Sequence, residues 1–474
     1  MIEQKKSVGI IGAGPAGLTA AYLLSKKGFA VDVYEADAVV GGMCKTIELW
    51  NNKVDLGPHR FFSNDRRVNE LWLEVVGADY EMVKRLTRIL YKGKYFDYPL
   101  KPVNAFVNLG VIETARCLLS YTRQRFAKSS HSTDFESWVV SRFGYRLYSI
   151  FFKTYSEKLW GIQCTDLDVD FAAQRIKKLS LYEAVKNAFI GGGGHKTLVD
   201  EFAYPIGGTG MVYQNMADKV RQQGGNIHTL TPVKKVMVTD KKAHGLQLSS
   251  GEERNYDHII STMPFTHLVH FMDNVPSEIR ENAGKLKFRN TVIVYLHIEG
   301  KNLFPDNWLY VHSSDLKTGR ITNFSNWVPQ LCTTDTTILA LEFWCNSNEA
   351  LWQMDDAPLI DLAVKDLEKT GLKGNCKVLD GAVYRVPKCY PVYQRGYKEH
   401  LNAIQPWLNT ISNLYVIGRY GAFKYNNQDH SILMGILASE NITSNKAHNL
   451  WEVNTDYESY QESTCITKTG LVKA

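Results

Sequence analysis

A glycine turn set between two apolar strands constrains this chain more than any other feature. Residues 7–35 read SVGIIGAGPAGLTAAYLLSKKGFAVDVYE. Val8, Ile10 and Ile11 predict a buried strand, residues 18–27 a helix, and residues 31–34 a second strand that ends at Glu35. Strand, Gly12-x-Gly14-x-Ala16-Gly17, helix, strand and acid, in that order, form the βαβ pattern that binds dinucleotides. Gly12 makes the tight turn, and Gly14 lets backbone approach a pyrophosphate. Ala16 and Gly17 open the helix, where Gly17 permits close packing on the strand, and the helix start offers free N–H groups to the anion. Glu35 stands where an acid accepts a ribose hydroxyl.

The chain has 474 residues, 44% of them apolar, enough to bury a large core divided over two or three lobes. Its net charge of +6 is only mildly basic. Arg116, Arg123, Arg125 and Lys128 are locally dense, and read as a solvated helix face, a membrane surface or a site for an anionic substrate. No interleaving of aromatic and basic residues argues for nucleic acid. The eight cysteines lie far apart, without C-x-x-C or zinc-type spacing, so free buried thiols of a reducing cytoplasm are expected, and no metal site. The first apolar run is the fingerprint strand, not a signal peptide, and no stretch of 18 apolar residues predicts a membrane span. Nothing in the sequence sets the oligomeric state.

Past Glu35 comes a glycine pair, Gly41 and Gly42, then Met43. Farther on stand Pro205-Ile-Gly207-Gly208-Thr-Gly210 and Leu414-Tyr-Val-Ile-Gly418-Arg419, the latter followed by a helical pattern over 428–442. These three segments resemble the FAD-binding flavoproteins of the amine oxidase type. The resemblance implies FAD, and carries cofactor contacts to Gly41, Gly42, Met43, Val233, Gly418, Arg419, Gln428, Asp429 and Ser431.

The expected fold is α/β, with a Rossmann-type FAD-binding domain assembled from residues 1–100, 206–265 and 401–446. A helical domain is expected over 101–205, a β-rich substrate domain over 266–400, and a C-terminal tail over 447–474 whose final dozen residues lie loose. Within these, helices are predicted over 103–126 and 171–190, with a capping box at Thr133-Asp-Phe-Glu136 before a long amphipathic run to Trp160. Strands are predicted at 291–297 and 337–344, and a helix over 359–370 that stops near Gly371. The Gly191-Gly-Gly-Gly194 run reads as a linker or as a mobile gate.

Further stretches narrow the resemblance: Asp55-Leu-Gly57-Pro58-His59-Arg60-Phe61, Phe135 through Trp160 to Gln174-Arg175, and Lys424-Tyr425-Asn426-Asn427-Gln428. With Tyr98-Pro99, Tyr310, Arg320 and Tyr390-Pro-Val-Tyr393, they are similar to the UDP-galactopyranose mutases, especially the longer eukaryote-type form. That likeness implies a nucleoside-diphosphate sugar bound against reduced FAD, with flavin N5 as nucleophile and NADPH or NADH as transient reductant. It assigns Arg175 and Arg320 to the departing diphosphate, which needs fixed guanidinium charge. His59 falls beside the flavin, with a protonation state responsive to flavin charge, or else is a satisfied core histidine. Tyr98, Tyr310, Tyr390 and Tyr425 fall on the substrate, with core packing as the alternative reading of these tyrosines. Trp160 lines the sugar pocket or the core, and Asn427 lies near the flavin or sugar.

Ser156 departs from the family's asparagine, Pro58 from a glycine and Lys101 from a glutamine. The diphosphate contacts are thus carried further than those to sugar and base, and galactose is not implied. A second class, an FAD-dependent oxidoreductase like protoporphyrinogen or amine oxidases, would take an apolar substrate with peripheral membrane contact at 103–128. A third, a flavoprotein that only binds a partner, is disfavoured by so many separated polar site residues.

Overall fold

The computed structural model describes residues 5–126, 132–171, 201–444, 446–453, 464–468 and 470–473. The fingerprint strand Ser7–Ile11 is central in a five-stranded sheet, ordered Leu414–Val416, His258–Ser261, Ser7–Ile11, Ala30–Tyr34, Asn226–His228. All four pairings are parallel. Strands of such a sheet are covered on both faces and are therefore apolar throughout. Val8, Ile10, Val33 and Ile260 have no exposed surface. Helices Pro15–Lys26, Gly210–Gln222 and Gln428–Ser444 pack together over it. Gly435 brings the last of these against the first, since a Cβ there would stand 2.7 Å from the Ala16 carbonyl oxygen.

A larger sheet of seven strands runs Val378–Pro391, Phe288–Glu299, Thr336–Cys345, Arg320–Asn323, Trp308–Val311, Thr87–Tyr91, Lys94–Asp97. Helix Asp356–Thr370 covers one face through Leu359, Ala363 and Leu367, one residue per turn, and ends at Gly371 in the left-handed conformation. The opposite face looks into the cavity described below.

Several expectations need correction. Thr87–Tyr91 and Lys94–Asp97, placed by sequence within the 1–100 segment, join the large sheet, where Thr87–Tyr91 pairs in parallel with Trp308–Val311. The helix over 103–126 breaks into Pro102–Leu109 and Val111–Phe126, with Gly110 at φ 80° between them. The capping box is displaced by one residue. Asp134, not Thr133, caps the helix by accepting the Ser137 amide at 2.8 Å, while Glu136 accepts the Tyr148 hydroxyl. Near the C-terminus, Thr464–Thr467 and Gly470–Lys473 form a hairpin rather than a loose tail, and Tyr80 donates to the Thr467 carbonyl at 2.7 Å. The helix expected over 171–190, beyond its first residue, and the loop 191–194 lie outside the described residues.

Helices Pro102–Leu109 and Val111–Phe126 leave Val103, Val107, Val111, Ile112, Leu119 and Phe126 largely in solvent, Phe126 by 91%. Among the described residues, no helix is long and apolar enough to cross a membrane, and no cluster of residues could hold a metal ion. All eight cysteines are free.

Candidate active site

A cavity of about 660 Å³ lies between the carboxyl ends of the parallel strands and the inner face of the large sheet. That size suits a bound organic ligand, and the carboxyl edge is where open α/β sheets bind theirs. Its two ends are chemically different.

At the sheet end, the wall includes Gly12, Gly14, Ala16, Glu35, Gly42, Met43, Val233 and Gly418. Gly12 adopts φ 95° and donates its amide to the Tyr34 carbonyl at 2.8 Å. A Cβ on Gly42 would stand 3.2 Å from the Gly14 Cα, so the two glycine turns face each other across a gap that side chains would fill. Glu35 is fixed by the backbone amides of Ala13 and Asp37, at 2.8 and 2.9 Å. A flavin dinucleotide fits this cradle. Its pyrophosphate would lie by Gly14 and Gly42 at the helix start, its ribose by Glu35.

Gly17 and Gly41 lie behind the wall. A Cβ on Gly17 would come within 2.0 Å of the Gly12 carbonyl oxygen, and Gly41 donates to the Ala13 carbonyl. The downstream glycine turn serves packing too, for a Cβ on Gly210 would stand 2.4 Å from the Thr46 amide nitrogen.

At the other end, one cross-strand rung of the large sheet carries the chemistry. Register pairs Tyr310 with Arg320, Arg320 with Glu342, and Glu342 with Ile293, so all four side chains share a face. Arg320 donates to both carboxylate oxygens of Glu342, at 2.7 and 2.5 Å, where Glu342 is buried and Arg320 largely so. Glu342 pushes the Arg320 pKa well up, against the effect of burial.

Arg419 donates to the carbonyls of Cys389 and Asn426, with its guanidinium 4.9 and 4.5 Å from the rings of Tyr390 and Tyr425. Those rings stack at 5.4 Å. Tyr98, 43% exposed, meets Tyr310 edge-on at 5.1 Å.

The His59 loop is pinned from behind. Thr209 Oγ1 and Gln428 Nε2 both donate to the His59 carbonyl at 2.9 Å, and Tyr213 holds the Gln428 carbonyl oxygen at 2.8 Å. Buried Asp55 anchors the turn, accepting the hydroxyls of Thr46 and Tyr204 at 2.6 Å and the Thr209 amide. His59 lines the cavity, and its Nδ1 is buried without a hydrogen-bond partner among the described residues, an orphan that a bound flavin edge would satisfy.

Burial, with Arg320 and Arg419 close by, pushes the His59 pKa down to about 3. The imidazole is therefore neutral at ordinary pH, and the expected responsive protonation is opposed by two guanidiniums. His312, stacked on Tyr155 at 4.8 Å, is likewise pushed down to about 3 by burial and Lys158. Below pH 6.5 an unfolded chain protonates both rings while the folded chain does not, so stability is lost as pH falls toward 3. The slope is about 1.4 kcal/mol per pH unit for each histidine. Thermal melts should show His312→Phe, which keeps the stack, with a visibly shallower acid dependence; an unchanged slope would refute this.

Of the remaining residues expected at the site, Asn427, Gln428 and Ser431 reach the cavity wall, and Asp429 does not. Ser156 is buried on helix Thr154–Trp160 away from the wall. Trp160 is core: 1% exposed, it packs edge-on to Tyr390 and Tyr425, behind the rings that line the cavity. Arg175 lies outside the described residues. Sequence reading missed Glu342, Arg85 and the roles of Asp55 and Thr209. Glu342 did leave a signal, as the lone acid in the apolar run TTILALEFWC.

Residues 15–443 match the family model described as flavin containing amine oxidoreductase. The chain is 27% identical over 292 residues to the neurosporene-forming phytoene desaturase of Cereibacter sphaeroides, spanning 54% of this chain and about half, 53%, of that one. It is 22% identical over 460 residues to the coproporphyrinogen III oxidase of Bacillus subtilis, spanning 88% and 94%. Its fold is similar to that of a crystal structure of reduced UDP-galactopyranose mutase, with a TM-score of 0.84, 24% identity, and coverage of 96% and 100%. With nine-tenths of its length matched by the family model, and the glycine cradle in place, the chain belongs to the flavin-containing amine oxidoreductases.

Proposed function

We propose that this flavoprotein is a mutase acting on a nucleoside-diphosphate sugar, interconverting pyranose and furanose forms on FAD reduced by NADPH or NADH. The observation that carries the reading is the cavity's far end, where Tyr98, Tyr310, Tyr390, Tyr425, Arg320 and Arg419 replace the greasy wall an apolar substrate would need. Reduced flavin, when bound, supplies a nucleophilic nitrogen for the anomeric carbon without net redox. The protein's own groups do the rest. Arg320, oriented by Glu342, and the tyrosine hydroxyls offer donors to a leaving diphosphate. Arg419 fixes the stacked Tyr390 and Tyr425 rings, and neutral His59 offers its free nitrogen toward the flavin edge.

The test is to reduce the purified holoprotein and titrate it with nucleotide sugars and free nucleotides. Diphosphate nucleotides should bind, ring interconversion should proceed without an oxidant, and Arg320→Ala should weaken binding by about 2–5 kcal/mol. If nothing in the panel binds, the reading is lost. A second reading, an oxidoreductase on an apolar substrate, is favoured by the desaturase and oxidase relatives and by the apolar face of helices Pro102–Leu109 and Val111–Phe126. Oxygen uptake with such a substrate would support it.

A further inference from the structure

The positive charge left over in this cavity is not on Arg320. That guanidinium is matched by Glu342 in a two-point ion pair, so the two together carry no net charge. Arg419 spends its donors on two backbone carbonyls. Two other arginines line the same cavity, Arg60 beside His59 and Arg85 just before strand Thr87–Tyr91. Neither forms an ion pair with a carboxylate among the described residues. Arg60 Nη1 and Arg85 Nε are each buried with no hydrogen-bond partner.

What these side chains do contact is weak. Arg85 Nη2 donates to the Tyr98 carbonyl at 3.3 Å, and the Arg60 guanidinium lies 5.7 Å from the Phe62 ring centre. Asp429, the acid whose field reaches Arg60, is 3.2 Å from His430. Burial and the neighbouring Arg85 charge both push the Arg60 pKa down. A largely desolvated guanidinium such as that of Arg60, without a counter-charge, is costly, and the partly exposed Arg85 beside it adds repulsion. A chain that retains such a pair on a cavity wall has built a place for an anion.

We propose that Arg60 and Arg85 form a phosphate subsite on the cavity wall, holding a phosphate or diphosphate group of the ligand beside the hydroxyls of Tyr98 and Tyr310. Two planar forks suit a tetrahedral anion with several acceptor oxygens, and its charge near −2 balances both arginines. The carboxylate of a fatty or amino acid would leave one guanidinium unmatched. The subsite rests on the proposed function only in taking the ligand to be a phosphate ester, whatever reaction follows.

The experiment is calorimetric titration of the oxidised holoprotein with inorganic pyrophosphate, then with UDP and with NADPH. Arg60→Met and Arg85→Met keep the length of the side chains and remove their charge, and Arg85→Lys keeps the charge. Pyrophosphate should bind at least tenfold more weakly to each Met variant, while Arg85→Lys stays within about threefold of the wild type. Flavin content and melting temperature are read alongside, and a Met variant that loses flavin is replaced in the comparison by its glutamine counterpart, which also removes the charge. Whichever of UDP or NADPH loses affinity in parallel with pyrophosphate identifies whether substrate or reductant carries the phosphate. Equal pyrophosphate affinity in wild type and both Met variants, or no binding by the wild type, overturns the subsite. Tenfold losses in a protein that converts no nucleotide sugar would defeat the mutase reading and leave the subsite standing. Ring interconversion with undiminished pyrophosphate binding in the variants would do the reverse.

Discussion

Gly17→Ala is expected to yield a protein that retains little flavin and is destabilised by about 1–2 kcal/mol. In a helix interior, alanine ordinarily beats glycine by roughly 1 kcal/mol, because it loses less backbone freedom on folding. Here the added methyl would sit 2.0 Å from the carbonyl oxygen of Gly12 and 3.4 Å from Ile10 Cγ2. The oxygen belongs to backbone and cannot swing aside, so helix Pro15–Lys26 must back away from strand Ser7–Ile11. Overpacking of this kind costs about 1–3 kcal/mol, which exceeds the propensity gain. The displaced helix also takes its free N–H groups away from the pyrophosphate position. Gly284→Ala, in helix Ser277–Lys285 with nothing within 4 Å of its Cβ, is the matched control and should be neutral or mildly stabilising. The ratio of flavin to protein absorbance and a thermal melt decide the matter. A Gly17→Ala protein that is fully flavinated and melts with the wild type would show that the strand–helix contact yields easily.

Glu342→Leu should cost more stability still, for an electrostatic reason. Glu342 is buried and the Arg320 side chain is only 14% exposed, and each carboxylate oxygen takes a guanidinium N–H. Removing the acid leaves a buried cation with its donors unmet, at a cost of about 3–5 kcal/mol. Replacing both residues, as Arg320→Met with Glu342→Leu, should recover most of that loss, since two apolar chains on adjacent strands can pack where the pair stood. Denaturant melts of the two singles and the double form a thermodynamic cycle. If the double is no more stable than Glu342→Leu, the pair is not the unit of stability proposed, and the cost of Glu342→Leu lies in the cavity that the shorter side chain opens.

How much could be read from the chain alone depended on how far apart the interacting residues stood. The strand–turn–helix–strand unit at 7–35 is local, and its strands, glycines and acid lie where the spacing put them. Strands Phe288–Glu299 and Thr336–Cys345 of the large sheet were visible as apolar runs because their side chains repeat within a few residues, whereas the half-exposed Val378–Pro391 beside them was not. Thr87–Tyr91 was not, since the parallel neighbour that makes it a sheet strand, Trp308–Val311, lies far along the chain. Arg320 could be singled out by type and spacing, whereas its engagement by Glu342 follows from register across two strands, which no local pattern encodes. Trp160 was open between cavity and core. Its place behind Tyr390 and Tyr425 is decided by how the helix Thr154–Trp160 meets the end of strand Val378–Pro391.

The order of strands in the small parallel sheet has a bearing on how a cell makes this protein. Strand Ser7–Ile11 leaves the ribosome early, yet one of its edges is met only by His258–Ser261, and that strand's outer edge only by Leu414–Val416. At roughly 5–20 residues per second, translation leaves the nascent lobe half-paired for tens of seconds, with open strand edges that invite aggregation. Coenzyme loading must then come after synthesis, and a message cut short before helix Gln428–Ser444 gives a product that cannot keep its prosthetic group and is left to proteases.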